Sequence, residues 1–551
     1  MYLLGFGVLR SLNMPLLAKE HLPIPNTDLL SWSFDNIQHD EDQPIYIDAI
    51  NPQNSISTRQ ARSLVRKLIA GLRKIGMKRG DCACINSFND IHYPLVFLSL
   101  VGAGGVFSGV NPGYTPHELS HTLKIAKVKF VFVLPSLLDQ TLKATDQVGI
   151  PRERVIIFNP NGDEAPKGFL QWKDLLAHGE EDWIRFDDLE TAKFTPAARL
   201  FSSGTTGLPK AADLSHRNLV AQHTLVFEAN PRPWERRMLL ALPMFHAATA
   251  PSAFCSFIRA GARAYVLPRF EPERWFWAHE EYQITDLLVV PPIAILAINS
   301  PLNKKYSLRS VKVATCGAAP LDKAPQARLQ KLIGETVPFT QVWGMTETSC
   351  IATRFPWPEK DTTGSVGRPM PGLDLKLVSE DGKDVSGPDV RGELCIRGPT
   401  VINGYFENPE AKARDWDDEG YFHTGDIAFM DGKTGLFYIV DRKKELIKVR
   451  AFQVAPPELE GTLLDHPDIV DAAVIGVPDP NNSEGSELPR AYLVRRDGSN
   501  SKPSEQDVNG WMKERLASYK QLVGGIVFVS EIPKVSLLSF VESLRCVLTM
   551  Q

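Results

Sequence analysis

Apolar residues recur along the chain with two spacings, one typical of helices and the other of strands. Seven apolar positions between Ala61 and Ile75 are three or four residues apart, and Gly76 follows them. This spacing predicts one face of an amphipathic helix that ends at the glycine. The short apolar runs CACINSF, KFVFVLP and RVIIF predict strands, with a helix around HELSHTLKIAK. Because strands alternate with helices, the pattern predicts parallel sheets covered on both faces.

The stretch from Tyr93 to Val110 is uncharged and long enough to be considered as a membrane span. Its middle, however, contains Gly102, Gly104 and Gly105. A buried helix, a glycine break and a buried strand explain the pattern more simply, so we predict no membrane span.

The pattern changes after about residue 365. GLDLKLVS, GELCIRG and GLFYIVD are short strand-like runs between glycines, which predict a small β-rich subdomain. The charged run DRKKELIKVR, 441–450, indicates a junction, and beyond it AAVIGVP, RAYLVRR and IVFVSEI with one helix predict a separate α+β unit. We therefore predict a large N-terminal domain over 1–440, a hinge over 441–446 and a small C-terminal domain over 447–551. Residues 1–13 are a candidate extension outside the large domain.

Composition narrows the class of partner. Lysine plus arginine (61) nearly balances aspartate plus glutamate (65) among 551 residues, so charge gives no reason to expect nucleic acid or an anionic membrane. Seven cysteines without a zinc spacing favour a reduced intracellular protein, most simply a cytoplasmic one. The first residues lack the basic region of a signal peptide, and the last three are not the peroxisomal Ser-Lys-Leu address.

The segment FSSGTTGLPK, 201–210, has almost nothing that could fill a core. Two glycines free the backbone to approach a ligand, the hydroxyls add hydrogen-bond donors, and Lys210 adds a point charge suited to phosphate. This composition predicts a polyphosphate cradle, although the spacing is not that of a P-loop. For the motif alone, a solvated polar turn is an equal alternative. The predicted cradle comprises Ser202, Ser203, Gly204, Thr205, Thr206, Gly207, Leu208, Pro209 and Lys210.

Three further motifs follow in order: QVWGMTET (341–348), GYFHTGD (420–426) and DRKKELIK (441–448). Together with the cradle they resemble the signature set of the adenylate-forming superfamily of acyl- and aryl-CoA synthetases, luciferases and peptide-synthetase adenylation domains. The chain is most similar to fungal enzymes of the 4-coumarate–CoA-ligase type. The resemblance implies ATP-dependent activation of a carboxylic acid as an acyl-adenylate, followed by transfer to coenzyme A, with Mg²⁺ as the metal.

The resemblance also implies roles for individual residues. Thr346 would bond the α-phosphate, Glu347 would hold Mg²⁺, and Asp426 would accept the ribose hydroxyls. Trp343 takes the place of the family's usual tyrosine beside adenine, and Arg442 would reach the ribose or the α-phosphate. The remaining predicted nucleotide contacts are Gly317, Ala318, Ala319, Gln341, Val342, Gly344 and Met345.

The acid and the thiol are assigned in the same way. His246 would meet the carboxylate, and the predicted acyl pocket comprises Phe245, His246, Ala247, Gln341, Gly344 and Met345. Lys444 matches the hinge position and Lys448 a catalytic position of the small domain. The predicted thioester side comprises Arg450, Ala451, Phe452 and Gln453, where Ala451 replaces the family's glycine.

The end of the chain departs from the family pattern. Lys534 belongs to an Ile-Pro-Lys triplet, and no lysine follows it where the family has its catalytic tail lysine. We therefore expect slow adenylation and keep two alternatives: an acyl-AMP ligase that passes its acyl group to a carrier protein or other acceptor, and a nucleotide-binding pseudoenzyme. We also expect Lys210 and Glu347 to lie in polar loops without a role in the core. The sequence names neither the acid nor the oligomeric state.

Overall fold

The computed structural model describes residues 16–202, 209–321, 323–442, 446–450, 452–480, 486–496 and 503–532, without the side chains of 441 and 442. Within these ranges the chain forms two compact units. The larger comprises the described residues of 16–112, 120–202 and 210–442, and the smaller comprises 113–119, 209 and the described residues from 446 onward. The predicted hinge and exact domain limits remain predictions.

The first seven-stranded sheet is parallel except for one edge strand. Its order is β14-β13-β12-β10-β11-β1-β2, and β2 runs antiparallel to β1. Its strands are β1 (Pro44–Asp48), β2 (Ser55–Ser57), β10 (Arg237–Leu240), β11 (Arg263–Val266), β12 (Asp286–Val289), β13 (Val313–Cys316) and β14 (Phe339–Gln341).

The second seven-stranded sheet has the same plan. Its order is β7-β6-β5-β3-β4-β8-β9, with β9 antiparallel to β8 at the edge. Its strands are β3 (Cys82–Asn86), β4 (Val106–Gly109), β5 (Val128–Val133), β6 (Val155–Ile157), β7 (Leu170–Gln171), β8 (Pro196–Ser202) and β9 (Lys210–Ser215). The predicted α/β class with parallel sheets is confirmed.

Helices connect these strands. The amphipathic pattern forms α2, whose start is closed by a capping box between Ser57 and Gln60, and Gly76 follows its end at φ 89°. The first helices are α1 (Leu29–Phe34), α2 (Thr58–Lys74), α3 (Tyr93–Gly102), α4 (Pro116–Ile125), α5 (Leu138–Val148) and α6 (Leu189–Phe194). They are followed by α7 (His216–His223), α8 (Phe257–Ala260), α9 (Pro272–Glu281), α10 (Pro291–Asn299), α11 (Lys323–Ile333) and α12 (Pro409–Asp415).

The uncharged stretch that began at Tyr93 is buried inside the protein. It forms α3, turns at the glycines and continues as β4. The Phe97 ring stacks on Phe254 with centroids 4.2 Å apart and meets Phe107 edge-on at 5.2 Å. Within the described ranges, no helix combines the length and the apolar character that crossing a bilayer requires.

The larger unit also contains two small sheets, and the β-rich part predicted after residue 365 corresponds to the second of them and to the last strand of the first. One has β15 (Trp343–Met345), β16 (Cys350–Arg354) and β17 (Arg368–Pro369). The other has β18 (Asp374–Val378), β19 (Gly392–Arg397), β20 (Phe422–Met430) and β21 (Phe437–Arg442).

The smaller unit has its own core and its own strands. Val454, Leu459, Leu463 and Leu493 are completely buried in that core. Its elements are β22 (Ile447–Val449), β23 (Phe452–Val454), α13 (Pro456–Leu464), β24 (Ile469–Pro478), β25 (Glu487–Arg495), α14 (Glu505–Arg515) and β26 (Gly525–Val529). The smaller α+β unit predicted beyond the charged junction is therefore present.

Candidate active site

Three predicted site segments leave the same edge of the first sheet. Residues 245–247 follow β10, residues 317–319 follow β13, and residues 342–347 follow β14. These strands lie parallel in the order β10, β12, β13 and β14, so their carboxyl ends point the same way. Ligands of open α/β sheets bind at this edge, and the fold therefore gathers the segments that the motifs had singled out.

His246 is held at this edge in one defined tautomer. Its Nδ1 accepts the Ala248 backbone N–H at 3.1 Å, which places the proton of the neutral ring on Nε2. Solvent reaches the side chain, yet protein surrounds it closely enough that desolvation lowers the pKa of His246. A neutral imidazole that solvent reaches can donate one hydrogen bond to a carboxylate.

Lys210 is the first residue of β9 and is largely buried, with about 10% of its side chain exposed. Its Nζ lies 2.9 Å from Asp415 Oδ2 and 4.6 Å from the centre of the Tyr405 ring. The expectation of a polar loop was wrong for this residue, because pairing with β8 makes it part of a strand.

Asp415, the last residue of α12, holds Lys210 in place. Burial opposes its ionisation, but hydrogen bonds from Arg414 and then Lys210 outweigh burial and lower the pKa of Asp415. The ammonium and carboxylate therefore form an ion pair at neutral pH.

Glu347 is also buried, at 2% exposure, in the short helical turn Thr346–Thr348. Its Oε1 accepts the Tyr405 hydroxyl at 2.8 Å. Its Oε2 is buried and has no hydrogen-bond partner among the residues that the structure describes. The expectation of a polar loop without a role in the core was wrong here too, because all three residues of the turn are buried.

Tyr405 reaches both Lys210 and Glu347 because its segment pairs with β9. The Phe406 N–H donates to Ala211 O at 2.8 Å, and the Asp213 N–H donates to Gly404 O at 3.2 Å. Burial, followed by the charge of Glu347, raises the pKa of Tyr405, so it stays a neutral donor.

Trp343 and Asp426 form a second buried pair. Trp343 Nε1 donates to Asp426 Oδ2 at 2.7 Å, although 83 residues separate them. β15 carries the indole and β20 carries the carboxylate. The residue predicted beside adenine therefore also orients the carboxylate predicted at the ribose.

The turn before Asp426 is fixed by side chains from β19 that the motifs did not identify. Glu393 Oε1 accepts the Gly425 N–H at 3.1 Å, and Glu393 Oε2 lies 3.2 Å from His423 Nδ1. Cys395 Sγ lies 3.4 Å from the same nitrogen. These contacts hold the backbone that presents Asp426.

Gly344, one residue of the predicted acyl pocket, lies directly against the backbone of Cys350. A Cβ on Gly344 would lie 1.6 Å from the Cys350 carbonyl oxygen, so only glycine fits between these strands. Cys350 has φ 115°, and its Sγ is 3.6 Å from Ala248 O, which links β16 to the His246 segment. Ala247 is buried, and the half-buried residues of the predicted pocket are Phe245, Gly344 and Met345.

Gln341 differs from the other predicted pocket residues. Its Oε1 accepts from Leu321 N at 2.9 Å, and its Nε2 donates to Leu321 O and to Gln326 Oε1. The carboxamide therefore fixes the chain after the 317–319 segment.

The small-residue segment after β13 packs closely against the segment that follows β14. Gly317 is buried, and a Cβ there would lie 3.0 Å from Val342 Cγ2. Ala318 is exposed at φ 69°, and Ala319 is half-buried. Thr346 lies at 8% exposure beside Glu347.

In the smaller unit, Lys448 is exposed on β22 and pairs in register with Gln453 on β23. Arg450 adopts φ 53° at the turn between these strands. The Phe452 ring stacks on Tyr519 at 4.1 Å. The described residues among the predicted thioester side are thus found on one hairpin.

Several predicted residues lie outside the described part of the chain. Ser202 and Lys210 are paired in register and Pro209 is described, but the residues between Ser202 and Pro209 are not. Nor are the side chain of Arg442 and the chain from 533 onward, which includes Lys534. The predicted site residues in this group are Ser203, Gly204, Thr205, Thr206, Gly207, Leu208, Lys444 and Ala451.

Comparison with family models gives two matches. The model described as "AMP-binding enzyme" matches residues 34–406. The model described as "AMP-binding enzyme C-terminal domain" matches residues 458–536. Together they cover most of the chain.

Among curated proteins, fungal relatives match over nearly their whole length. A phenylacetyl-CoA ligase, epaB, from Aspergillus niger is 50% identical over 93% of this chain and 95% of its own. An acyl-CoA ligase, azaF, from Aspergillus niger is 49% identical over 93% and 96%. An acyl-CoA synthetase, ACTT5, from Alternaria alternata is 51% identical over 89% and 85%.

Solved structures share the fold. ATP-bound MatB from Rhodopseudomonas palustris is 27% identical, with a TM-score of 0.68 over 93% of this chain and 96% of its own. The amide bond synthetase McbA from Marinactinospora thermotolerans is 23% identical, with a TM-score of 0.77 over 94% and 99%. At that identity the second match shows the fold alone.

Proposed function

Because the chain belongs to the AMP-binding enzyme family, we propose that it is an acid–thiol ligase that uses ATP to join a carboxylic acid to coenzyme A. The observation that carries this function is the identity of about 50% to fungal acyl-CoA ligases over most of the chain. The acid first attacks the α-phosphorus of ATP and releases pyrophosphate. The thiol then attacks the acyl-adenylate and releases AMP.

Lys210 and Thr346 are our candidates for phosphate contacts. Asp415 holds the Lys210 ammonium in one position through a 2.9 Å contact, so little reorganisation is needed when phosphate arrives. Thr346 adjoins Glu347 at the carboxyl edge of the sheet, where it can donate to a phosphate oxygen. Fixed donors suit this chemistry because negative charge accumulates in both steps.

Glu347 suits a magnesium ion bound together with ATP. Its Oε2 is a buried carboxylate oxygen without a protein partner in the described ranges, while Tyr405 engages Oε1. Carboxylate oxygen is a ligand that Mg²⁺ prefers, and one carboxylate with phosphates suffices. The ion would offset the phosphate charge, and Tyr405 would keep the second oxygen turned toward it.

Trp343 and Asp426 are our candidates for the nucleoside. The indole offers an aromatic face for adenine, and its N–H steadies the carboxylate that accepts ribose hydroxyls. Gly317, Ala318 and Ala319 form the small wall on the adenine side. Arg442 remains a candidate for the ribose or the α-phosphate.

His246 is our candidate for orienting the acid. Its Nε2–H can donate to the substrate carboxylate, which leaves the other oxygen to attack phosphorus. The lowered pKa keeps the ring neutral at physiological pH, so it does not lock the carboxylate into an ion pair.

We propose a small aryl or arylalkanoic acid as the substrate. The relative named phenylacetyl-CoA ligase is 50% identical. Phe245 and Met345 are also suited to contacting a ring, and backbone closes the pocket at Gly344. One methylene changes such a preference by only about 1–3 kcal/mol, so neighbouring acids should also react.

We propose that the smaller unit supplies residues for the second step, in which the thiol of coenzyme A attacks the acyl-adenylate. Its candidates are Lys448, Arg450, Ala451, Phe452 and Gln453, with a hinge over 441–446 that includes Lys444. An intracellular, cytoplasmic location remains a prediction from cysteine usage.

A pyrophosphate-release screen of aryl, arylalkanoic and aliphatic acids, with and without coenzyme A, tests this function. We expect release with phenylacetate or a near analogue and an acyl-CoA product when coenzyme A is present. Release without acyl-CoA would favour the acyl-AMP ligase alternative. Absence of release with every acid would contradict the proposal; the relatives give no support to the pseudoenzyme alternative.

A further inference from the structure

A cavity of about 310 Å³ lies at the opposite edge of the first sheet from His246. It is lined by Arg236, just before β10, and by 260–262, just before β11, so it lies at the amino ends of these parallel strands. The remaining lining that matters here is His223, Phe227, Arg232 and Trp234. We call it the arginine cavity.

Positive charge at this cavity exceeds the negative charge available to balance it. Arg236 Nε donates to Asp286 Oδ1 at 3.1 Å, and Asp286 also accepts from Trp234 and Thr285. No carboxylate within the described ranges lies at ion-pair distance from Arg232 or from neighbouring Arg354. Asp286 is therefore paired with one of three neighbouring arginines, Arg232, Arg236 and Arg354.

The two glutamates at the rim are already paired elsewhere. Glu228 contacts Arg259 at 3.2 Å. Glu235 contacts Arg263 at 2.9 Å and Arg237 at 3.2 Å. When these two glutamates and the arginines that pair with them are included, positive charge at the cavity is still in excess.

The arginines are partly desolvated by their surroundings. Arg236 lies 4.1 Å from the centre of the Phe227 ring, and Arg354 donates to Val226 O and Phe355 O. Burial, followed by Arg232 and Arg236, lowers the pKa of Arg354 to about 9. Burial and Arg236 lower the pKa of Arg232 to about 10. Charged groups in such an environment are stabilised by a counter-ion.

Two buried nitrogens at the cavity also lack hydrogen-bond partners among the residues that the structure describes. Arg232 Nε has no hydrogen-bond acceptor, and His223 Nε2, in a residue only 2% exposed, has no partner within the described ranges. His223 Nδ1 lies 2.6 Å from Ser256 Oγ. If that hydroxyl donates to Nδ1, the neutral ring carries its proton on Nε2 and offers a further donor.

We propose that the arginine cavity binds a small oxyanion, a carboxylate or a phosphate group, through Arg232 and Arg236. The planar guanidinium of arginine is matched to both groups. The Phe227 and Trp234 rings form an apolar wall for an organic remainder of the ligand. The site is separate from the proposed reaction centre, since it lies at the other end of the same strands.

Inorganic phosphate and benzoate are the probes, titrated by calorimetry into the full-length protein carrying Lys210→Ala. That substitution weakens the candidate nucleotide-phosphate site. Because benzoate could also enter the proposed acyl pocket, the cavity is reported by the part of the binding that Arg232→Gln removes. We expect at least one probe to bind, and Arg232→Gln in this background to weaken it about tenfold or more, as expected for losing a hydrogen bond to a charged group. A loss confined to phosphate, or confined to benzoate, in Arg232→Gln would identify the preferred class of oxyanion.

Arg274→Gln is the matched control, because Arg274 is about half exposed and pairs with Glu271 on the surface. It removes the same charge and should leave binding unchanged. If Arg232→Gln does not fold, as judged by circular dichroism, Arg232→Lys replaces it and should weaken binding by a smaller factor. Failure of both probes to bind, or equal loss in the Arg232 and Arg274 variants, would overturn the proposal.

Discussion

The candidate active site and the arginine cavity hold buried charge of opposite sign. In the active site Lys210 is balanced by Asp415, while Glu347 accepts from the neutral Tyr405 hydroxyl and Asp426 accepts from the neutral Trp343 indole. Among the described residues, Glu347 therefore has no cationic partner at ion-pair distance. In the cavity arginines are in excess. A buried charge held by neutral donors or by backbone is suited to a ligand that brings the opposite charge, magnesium in one place and an oxyanion in the other.

Among the substitutions that test this comparison, Glu347→Gln should have the largest effect. The amide keeps the shape and the contact with Tyr405 but removes the negative charge intended for Mg²⁺. We expect kcat for pyrophosphate release to fall by about 10²–10³, in the range found when a fixed electrostatic partner is lost. Titration of Mg²⁺ at saturating ATP should show a raised requirement. Exposed Glu410 provides the control, since Glu410→Gln should change neither value; an unaltered Mg²⁺ dependence in Glu347→Gln would contradict the assignment.

Lys210→Ala should have the next largest effect. It removes the proposed phosphate contact and leaves Asp415 beside the approaching phosphate, so we expect KM for ATP to rise by about 10- to 100-fold. Asp415→Asn should raise it less, because the ammonium remains. Steady-state kinetics with ATP varied at saturating acid would measure both variants. A larger effect of Asp415→Asn would mean that the ion pair serves the fold more than the nucleotide.

Trp343→Phe removes the indole N–H but keeps an aromatic face. A hydrogen bond to a charged acceptor contributes about 1.5–3 kcal/mol, so we expect KM for ATP to rise about tenfold with little change in KM for the acid. Asp426→Ala should affect ATP at least as strongly. If Trp343→Phe raised only the KM for the acid, the link to the nucleoside would be wrong.

Tyr405→Phe should have a smaller effect. It deletes one neutral hydroxyl and leaves the Glu347 charge in place, so we expect a two- to tenfold rise in the Mg²⁺ requirement, equivalent to about 0.5–1.5 kcal/mol. Thermal unfolding run beside the Mg²⁺ titration separates this effect from instability. A loss as large as that of Glu347→Gln would mean that Tyr405 itself contacts the substrates.

Arg232→Gln should have the smallest kinetic effect of all. If the cavity and the reaction centre are independent, kcat and both KM values should stay within twofold of those of the unsubstituted chain. A full set of initial rates with ATP and acid varied would measure this. A large change in the KM for the acid would show that the two sites are coupled.

Local patterns predicted the elements well because each depends on near neighbours. The spacing from Ala61 to Ile75 gives α2, and the glycines after Tyr93 separate α3 from β4. The motifs also identified Glu347, Trp343 and Asp426 as candidates, and the last two form a buried hydrogen bond in the structure. These patterns lie within short segments, so they can be recognised without knowledge of the tertiary contacts.

The partners of those residues could not be predicted in this way. Asp415 is 205 positions from Lys210, and Tyr405 is 58 positions from Glu347. The sequence around Asp415 and around Tyr405 contains no motif that assigns either residue to the site. Tyr405 reaches the site only when residues 404–406 pair with β9. The same holds for Arg354, whose neighbours Arg232 and Arg236 belong to a different segment of the chain.

The close contact at Gly344 limits how the acid preference of this chain can change over generations. The Cβ of any other residue there would lie 1.6 Å from the Cys350 carbonyl oxygen, so no substitution is tolerated at this position. Lineages that acquire a new acid must instead alter side chains such as Phe245, Ala247 or Cys350. A directed-evolution library that randomises those three positions and keeps residue 344 constant would sample the folded variants most efficiently.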